Sequence, residues 1–347
     1  MIKNMLFLPT TIIYCAFSIA TLVYTIKNRK MKIQSHNFFN ELLIIILLLN
    51  AGILFPFMYQ YHTPNISLNI LQMLWLYSSL LFIIEMTVWF LMLTYNALKS
   101  IRNPSVMLNR DYEKYKEKIL NSWSDNIKDE FGRKILHIFT CSVVFIFWIL
   151  GMVLEQTGFL EIIKLDIYNF SYWWIITIGY AFIFMFQIAD LVRLNYFYSL
   201  PKWAKKWYLS MRPRELDTFI ASTPLVLSFV PFIFAPFPIF GSVALITTVA
   251  DAAACLIGKK FGSHPLKKRS DKTIEGFIAG GGTTFIIVLI MMILFNQYIN
   301  VDMVKIFFMA IIATILFLMV DYFTVHISDN ILNPLLTGFG MWIIYLL

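Results

Sequence analysis

The chain alternates long apolar runs with short polar segments, and the runs have the length of membrane-spanning helices. A bilayer core about 30 Å thick needs about 20 apolar residues per helix. The pattern therefore predicts an all-α bundle of about ten transmembrane helices. The predicted spans are residues 5–26, 41–61, 72–98, 134–154, 172–192, 217–238, 240–258, 274–295, 303–323 and 331–347. Prolines interrupt the sixth and seventh spans most: Pro224, Pro231, Pro236 and Pro238.

The positive charges predict the orientation of this bundle. Of the 28 Lys and Arg residues, only Lys3, Lys164 and Lys305 lie outside four loops. The loops are residues 27–32, 99–134, 193–214 and 259–272. Lys and Arg accumulate in cytoplasmic loops. We therefore expect these loops to face the cytosol and the N-terminus to lie outside.

Composition agrees with a membrane protein and excludes three other classes. Hydrophobic residues make up 59% of the 347 residues and charged residues only 14%. This rules out an ordinary soluble enzyme and a disordered protein. Cys15, Cys141 and Cys255 lie in apolar runs without a C-x-x-C pair, which argues against a disulfide scaffold or a cysteine metal site.

Two polar segments have an amphipathic pattern. In residues 101–133, one predicted helical face carries Tyr112, Tyr115, Ile119 and Trp123. Residues 200–207 place Trp203 and Trp207 one turn apart among lysines. Aromatic and basic residues in this arrangement predict anchoring at the inner leaflet, without chemistry of their own.

Asp251 is the most unusual residue in the predicted spans. An ionisable group at membrane depth costs about 2.5–3.5 kcal/mol on insertion scales, so its presence needs a reason. Ala254, Gly258 and Gly262 follow it on one helical stripe. A stripe without large side chains lets a phosphate chain approach, or allows another helix to pack closely.

The loop after this stripe has features of an anion site. It carries six Lys and Arg residues, and Glu275 and Gly276 begin the next helix, with more glycines at 280–282. Free N–H groups and the dipole at a helix start favour an anion. Mg²⁺ prefers one or two carboxylates plus substrate phosphates, and Asp251 and Glu275 are the candidates. These features predict a nucleoside triphosphate site, although a Walker A loop is absent.

The same residues form a motif at fixed spacing. It reads Asp251-x-x-Ala254-x-x-x-Gly258-x-x-x-Gly262, then eight residues, then Asp271-Lys272-Thr273-x-Glu275-Gly276. This resembles the CTP-binding motif of the dolichol kinase/polyprenol kinase family. Asp271 stands where that family usually has Lys, and Ala250 where it often has Gly.

Three further segments resemble the same family. Residues 130–137 are similar to its R-K-x-x-H segment, with Arg133 and His137, and Arg214-Glu215 is similar to a second charged pair. Residues 328–334 are similar to its terminal D-N-x-x-x-P, with Asp329 and Asn330. The resemblance covers about residues 125–347. It implies a kinase core of seven membrane helices at 134–347, preceded by a three-helix extension at 1–100 and an amphipathic linker at 101–133.

The resemblance implies CTP-dependent phosphorylation of a lipid alcohol, a polyprenol or dolichol above all. It implies Asp251, Asp329, His137 and Arg133 as catalytic residues, and Mg²⁺ held by Asp251 and Glu275. The implied CTP-binding residues are Ala254, Gly258, Lys259, Lys260, Gly262, Lys272, Thr273, Glu275, Gly276 and Asn330. The site would face the cytosol, in the cell membrane of a prokaryote or the endoplasmic reticulum of a eukaryote. We expect no nucleic-acid partner, and the oligomeric state stays open.

Two other functions stay open at this point. A cytidylyltransferase similar to CDP-diacylglycerol synthase uses a related stretch, but that family's C-terminal G-H-G-G block is missing here. A transporter would use Glu85, Asp190, Asp251 and Asp321 as a polar pathway. Asp190 and Arg193 are also spaced for an i,i+3 ion pair.

Overall fold

The chain folds into helices joined by short loops. The computed structural model describes residues 5–108, 110–122, 127–208, 211, 213–220, 222–267, 272–323 and 327–347, and no strand occurs in them. The helices of the first half are α1 (Leu8–Lys27), α2 (Arg29–Gln34), α3 (Phe38–Met58), α4 (Leu68–Arg102), α5 (Pro104–Leu108), α6 (Tyr112–Ser122), α7 (Ile127–Gln156) and α8 (Phe159–Ile162). Those of the second half are α9 (Ile167–Asn195), α10 (Lys202–Trp207), α11 (Ser222–Phe229), α12 (Phe237–Leu245), α13 (Asp251–Phe261), α14 (Ile274–Leu294), α15 (Met303–Phe323) and α16 (Asp329–Leu346).

Eight helical stretches in the described part of the chain are long and apolar enough to cross a membrane. They are Leu8–Lys27, Phe38–Met58, Leu68–Arg102, His137–Gln156, Ile167–Asn195, Phe237–Phe261, Ile274–Leu294 and Met303–Phe323. The prediction of an all-α, multi-pass membrane protein is thereby confirmed. The count of ten spans and the outside N-terminus stay predictions.

The predicted span at 217–238 is not one long helix. Its residues form the short helix α11 and a 3₁₀ turn at Val230–Phe234, and the next helix begins after Pro236. Proline lacks the backbone N–H and disfavours helical geometry in the residue before it, so a helix does not run through this segment.

The last predicted span, 331–347, is the helix α16, which contains Pro334. Because Pro334 has no N–H, it leaves the carbonyl of Asn330 without its usual helical donor. The hydroxyl of Ser228 donates to that carbonyl at 3.3 Å. A polar residue of α11 therefore compensates for the interrupted helix.

The chain forms two compact units. Unit 1 contains Met1–Asp125 and Ile176–Thr223, and unit 2 contains Asn126–Ile175 and Pro224–Leu347. Residues 176–223, which we predicted as part of the core, thus belong to the same unit as the N-terminal segment. The functional division at residue 134 stays a prediction, because compactness does not report function.

In unit 1, α1 and α3 approach each other closely. A Cβ atom on Gly52 would lie 3.2 Å from the carbonyl oxygen of Thr11. The hydroxyls of Thr11 and Ser18 donate to the carbonyls of Gly52 and Ile45, at 3.0 and 2.9 Å. Close packing and interhelical hydrogen bonds are what holds helices together in lipid.

A buried ion pair of unit 1 organises the loop before α11. Asp190 and Arg193 are paired at 3.1 Å, as their spacing predicted, and both side chains are fully buried. Arg193 also donates to the carbonyls of Leu216 and Thr218, and Asp190 accepts from the N–H of Ile220 at 2.7 Å. These bonds satisfy a pair whose burial is otherwise costly.

The amphipathic helix α6 packs against protein in unit 1. Ile119 is only 2% exposed, and the rings of Tyr112 and Tyr115 lie 5.1 and 4.9 Å from that of Phe197. Trp123 lies outside the described residues. An amphipathic pattern indicates that one face is apolar, not what covers it. Protein covers it here, where we predicted the inner leaflet.

The second amphipathic segment forms α10, which also contacts protein. The rings of Trp203 and Trp207 lie 5.7 and 6.5 Å from that of Trp89. Lys205 lies between them in sequence, and its ammonium is 4.0 Å from the centroid of Phe197. A lysine of this helix is therefore partly removed from water.

In unit 2, two helices run side by side in opposite directions. Trp148 of α7 is fully buried and stacks on Phe237, which begins α12, with ring centroids 3.7 Å apart. Lys134, nearer the start of α7, contacts Asp251, which begins α13. A π-helical turn, Ile246–Ala250, joins α12 to α13. Such turns are rare and occur often at functional sites.

The environment of Lys205 predicts a pH-dependent stability. Burial, with Arg110 and Lys202, lowers the pKa of Lys205 to about 8. An exposed lysine has a pKa of about 10.4. Between these values the unfolded chain binds more protons than the folded chain, so stability rises with pH over this window. We expect the thermal unfolding midpoint of the detergent-solubilised protein to rise between about pH 8 and pH 10.

Lys205→Met should remove part of that rise, because it removes the lysine that titrates. Lys206→Met, an exposed lysine on the same helix, is the matched control and should retain the rise. Equal pH profiles for Lys205→Met and the unmodified protein would contradict the prediction.

Candidate functional site

Asp251 lies at the junction of the π-helical turn and α13 and is paired with Lys134 of α7. The side chain of Lys134 is 6% exposed and that of Asp251 is 14% exposed. Two charges with so little contact with water are tolerated because each neutralises the other. The predicted membrane-depth carboxylate therefore has a specific counter-ion.

A second ion pair lies near the first. The ammonium of Lys272 is 2.6 Å from a carboxylate oxygen of Asp321, and it also donates to the carbonyl of Asp321 at 2.9 Å. Asp321 interacts electrostatically with Asp251 and Asp329, and Lys134 with Asp329. We call Lys134, Asp251, Lys272, Asp321 and Asp329 the charge cluster.

The charge cluster brings together residues that are far apart in the sequence. Asp251, Lys272 and Asp329 were predicted as site residues. Lys134 was noted only within the R-K-x-x-H segment, and Asp321 only as part of a transport pathway. The signal for both is their position, since each lies at the end of an apolar run where an unpaired charge is costly.

The small-residue stripe of α13 is filled by α14. A Cβ atom on Gly276 would lie 2.5 Å from the carbonyl oxygen of Ala254 and 3.0 Å from the Cα of Gly258. One on Gly280 would lie 2.8 Å from the Cβ of Ala254. Of the two interpretations of the stripe, close helix packing is the one found in this arrangement. A role of Ala254, Gly258, Gly262 and Gly276 in binding CTP stays a prediction.

Glu275 orders the loop before α14. Its carboxylate accepts from the N–H and hydroxyl of Ser263, at 3.2 and 2.9 Å, and lies 2.7 Å from Nδ1 of His264. Thr273 caps the helix by accepting from the N–H of Gly276 at 3.2 Å. Two predicted ligand-binding residues therefore have local structural roles as well.

The predicted magnesium site requires Asp251 and Glu275 to share one ion. Asp251 is paired with Lys134, whereas Glu275 is bonded to Ser263 and His264. Among the described residues, no group of three or more His, Cys, Asp or Glu side chains is arranged to hold a metal ion. In this arrangement Asp251 and Glu275 do not fit a shared magnesium site.

The other predicted site residues lie around the cluster or outside the described part. Lys259 and Lys260 lie in the last turn of α13, where positive charge is favoured, and Lys260 is exposed. His137 is 3% exposed on α7, one turn after Lys134, and Asn330 is 8% exposed in α16. The side chains of Arg133 and Arg214, and all of Asp271, lie outside the described residues.

The carboxylates of the transport alternative mostly have ion-pair partners. Asp190, Asp251 and Asp321 are paired with Arg193, Lys134 and Lys272. Glu85 has a buried carboxylate oxygen with no hydrogen-bond partner among the described residues. Ion pairing therefore explains the presence of three of these four carboxylates in apolar helices, and a transported ion is not needed for them.

Comparison of the chain with protein-family models, curated proteins and solved structures gave no match. The resemblance to dolichol kinases therefore depends on the motif residues themselves and stays a prediction.

The Lys134–Asp251 pair predicts a strongly coupled mutant cycle. Removing one partner of a buried pair costs about 3–5 kcal/mol, because the other charge stays buried and unpaired. Lys134→Met and Asp251→Asn should each lower the unfolding midpoint in detergent, and the double variant should lose less than the two losses combined. Additive losses would show that the two side chains do not depend on each other.

The contact between α13 and α14 predicts opposite effects for two glycines of α14. Gly276→Ala should destabilise by about 1–3 kcal/mol, because backbone atoms of α13 occupy the space of the new methyl group. A Cβ on Gly282 would meet nothing within 4 Å. Gly282→Ala is the matched control and should gain up to about 1 kcal/mol from helix propensity. Thermal unfolding measures both, and an unchanged midpoint for Gly276→Ala would contradict the close packing.

Proposed function

We propose that this protein is a CTP-dependent kinase that transfers the γ-phosphoryl group to the hydroxyl of a membrane lipid alcohol. The resemblance favours a polyprenol or dolichol as the acceptor. The observation that carries the proposal is the charge cluster, in which Lys134, Asp251, Lys272 and Asp329 of the resembling segments lie within electrostatic reach of one another or of Asp321.

The location of the cluster suits a substrate pair of this kind. The tail of a lipid alcohol is soluble only in the bilayer, whereas a nucleotide is soluble only in water. Asp321 lies near the end of α15 and Asp329 begins α16, whereas Asp251 lies within the apolar span Phe237–Phe261, ten residues before its end. Ends of membrane helices are where both substrates can meet, and we propose that this end faces the cytosol.

The composition of the cluster suits phosphoryl transfer. That reaction needs positioning and charge neutralisation more than covalent chemistry by the protein. Lysines supply point charges for phosphates, and Lys134 and Lys272 are already held at the site by carboxylates. Lys259 and Lys260 would add positive charge at the end of α13.

In the proposed reaction, the hydroxyl oxygen of the alcohol attacks the γ-phosphorus of CTP. The bond from that phosphorus to the β,γ-bridging oxygen breaks, and CDP leaves. Asp329 orients the hydroxyl and accepts its proton. Arg133 and His137 stay candidates from the resemblance, and no step here depends on them.

A magnesium ion belongs to the proposal as a companion of CTP. Mg²⁺ keeps several waters and is commonly held by substrate phosphates with only one or two carboxylates. Bound to the phosphates of CTP, the ion would neutralise part of their negative charge. This does not require the shared site of Asp251 and Glu275 that the sequence predicted.

The test is incubation of the purified protein in lipid nanodiscs with CTP labelled in the γ-phosphate or in the cytosine. A kinase yields a γ-labelled lipid phosphate and CDP. Pyrophosphate with a cytidylylated lipid would instead identify a cytidylyltransferase, and transport without CTP dependence would identify a transporter.

Asp329→Asn should lower turnover at least about 100-fold, since it removes the proton acceptor, and should leave CTP binding measurable. Asp251→Ala should abolish turnover, because it removes the counter-ion that holds Lys134, one of the proposed phosphate-binding lysines, at the site. Asp302→Asn is the matched control, because the carboxylate of Asp302 accepts from the N–H of Lys305 at the start of α15, a bond that the amide oxygen of asparagine can also accept. Unchanged turnover in Asp329→Asn would remove Asp329 from the chemistry, and an active Asp251→Ala variant would contradict the proposed site.

A further inference from the structure

Asn333 is a buried polar residue whose side-chain oxygen has no hydrogen-bond partner among the residues that the structure describes. It lies on α16 and is only 2% exposed. Its Oδ1 atom is buried and accepts no hydrogen bond from the described residues. A buried polar group without a partner costs about 1–3 kcal/mol, so this amide calls for an explanation.

Two hydroxyls that bond to this stretch of α16 donate to backbone carbonyls and not to the side chain of Asn333. The hydroxyl of Thr337 donates to the backbone carbonyl of Asn333 at 2.6 Å. The hydroxyl of Ser228 donates to the backbone carbonyls of Leu225 and Asn330. Both hydroxyls therefore serve the main chain. A leucine at position 333 would fill the space without an unsatisfied amide.

The position of Asn333 relates it to the charge cluster. Residues four apart lie on one face of a helix, so Asn333 follows Asp329 one turn further along α16, about 6 Å away. Asp329 belongs to the charge cluster, at the start of the helix. A lipid whose reacting hydroxyl lies at Asp329 and whose tail follows α16 would pass Asn333 directly after its head.

We infer that the acceptor lipid carries a second hydrogen-bond donor near its reacting hydroxyl, and that this donor binds Oδ1 of Asn333. The inference rests on the proposed kinase activity, and it replaces the acceptor favoured by the resemblance with a lipid alcohol that carries a second donor. A second hydroxyl or an amide N–H supplies such a donor, whereas a polyprenol or dolichol has a single hydroxyl and supplies none. Asn333 is then a specificity residue, one turn from the chemistry.

The experiment compares lipids that differ only in the second donor. One pair is a long-chain 1,2-diol and its 2-O-methyl ether, and the other is a long-chain 2-acylamino-1-alkanol, which has no further hydroxyl, and its N-methyl derivative. With the protein in nanodiscs and labelled CTP, we expect kcat/KM to be about tenfold or more higher for the donor member of at least one pair, the cost of leaving a buried acceptor unpaired. The pair that responds identifies the donor as hydroxyl or amide.

Asn333→Leu should abolish this preference, retain turnover of the methylated lipids and raise the unfolding midpoint. Asn333→Met is a second apolar variant with an unbranched side chain. Thr337→Val is the matched control on the same face of α16. It removes a hydroxyl that already has a partner, and should retain the preference. Equal kcat/KM within both pairs, or a preference that survives Asn333→Leu, would overturn the inference.

Thermal shifts by the same lipids without CTP separate this inference from the proposed function. If the donor lipids raise the unfolding midpoint, Asn333→Leu removes this effect and no lipid alcohol is phosphorylated, the binding site is supported and the kinase activity is contradicted. If a monohydroxy polyprenol is phosphorylated, and the second donor changes neither the unfolding midpoint nor kcat/KM, the kinase activity is supported and the role of Asn333 is contradicted.

Discussion

The fold depends on the cost of a charge that is removed from water. Each unit meets this cost with ion pairs that join separate helices or loops. In unit 2, Lys134 and Asp251 join α7 to α13. In unit 1, Lys32 and Glu41 are fully buried and paired at 2.5 Å. Because an unpaired partner would be strongly destabilising, each pair favours the arrangement in which its two helices lie together.

Glycine contacts and ion pairs reinforce each other in unit 2. The close approach of Gly276 to Ala254 brings the start of α14 against α13. The residue before the cap of α14 is Lys272, which reaches Asp321 at the end of α15. A larger side chain at Gly276 would therefore disturb both the helix contact and the position of a lysine in the charge cluster. The position of the Lys272–Asp321 ion pair therefore depends on the small residues at the contact between α13 and α14.

Local features of this protein could be predicted from the sequence, and long-range ones could not. Apolar length gives the spanning helices, because it reports directly on the thickness of the bilayer. Asp251 was identifiable as a charge within an apolar span, and Asp329 through the resemblance of residues 328–334. Their partner Lys134 was not, since the pairing follows from how α7 packs beside α13. The amphipathic α6 shows the same limit, because its pattern does not distinguish a lipid surface from the protein surface that covers it.

Charge balance links the two ion pairs of the cluster to the proposed reaction. Lys134 and Lys272 are held by Asp251 and Asp321. If phosphates of CTP took over these lysines, both carboxylates would lose their counter-ions in surroundings where an unpaired charge is costly. The anion can therefore bind only together with a cation that balances the released carboxylates, or by sharing the lysines with them. This predicts that nucleotide binding is coupled to cation concentration more steeply than screening alone would produce, because the cation replaces a lysine instead of merely surrounding the site.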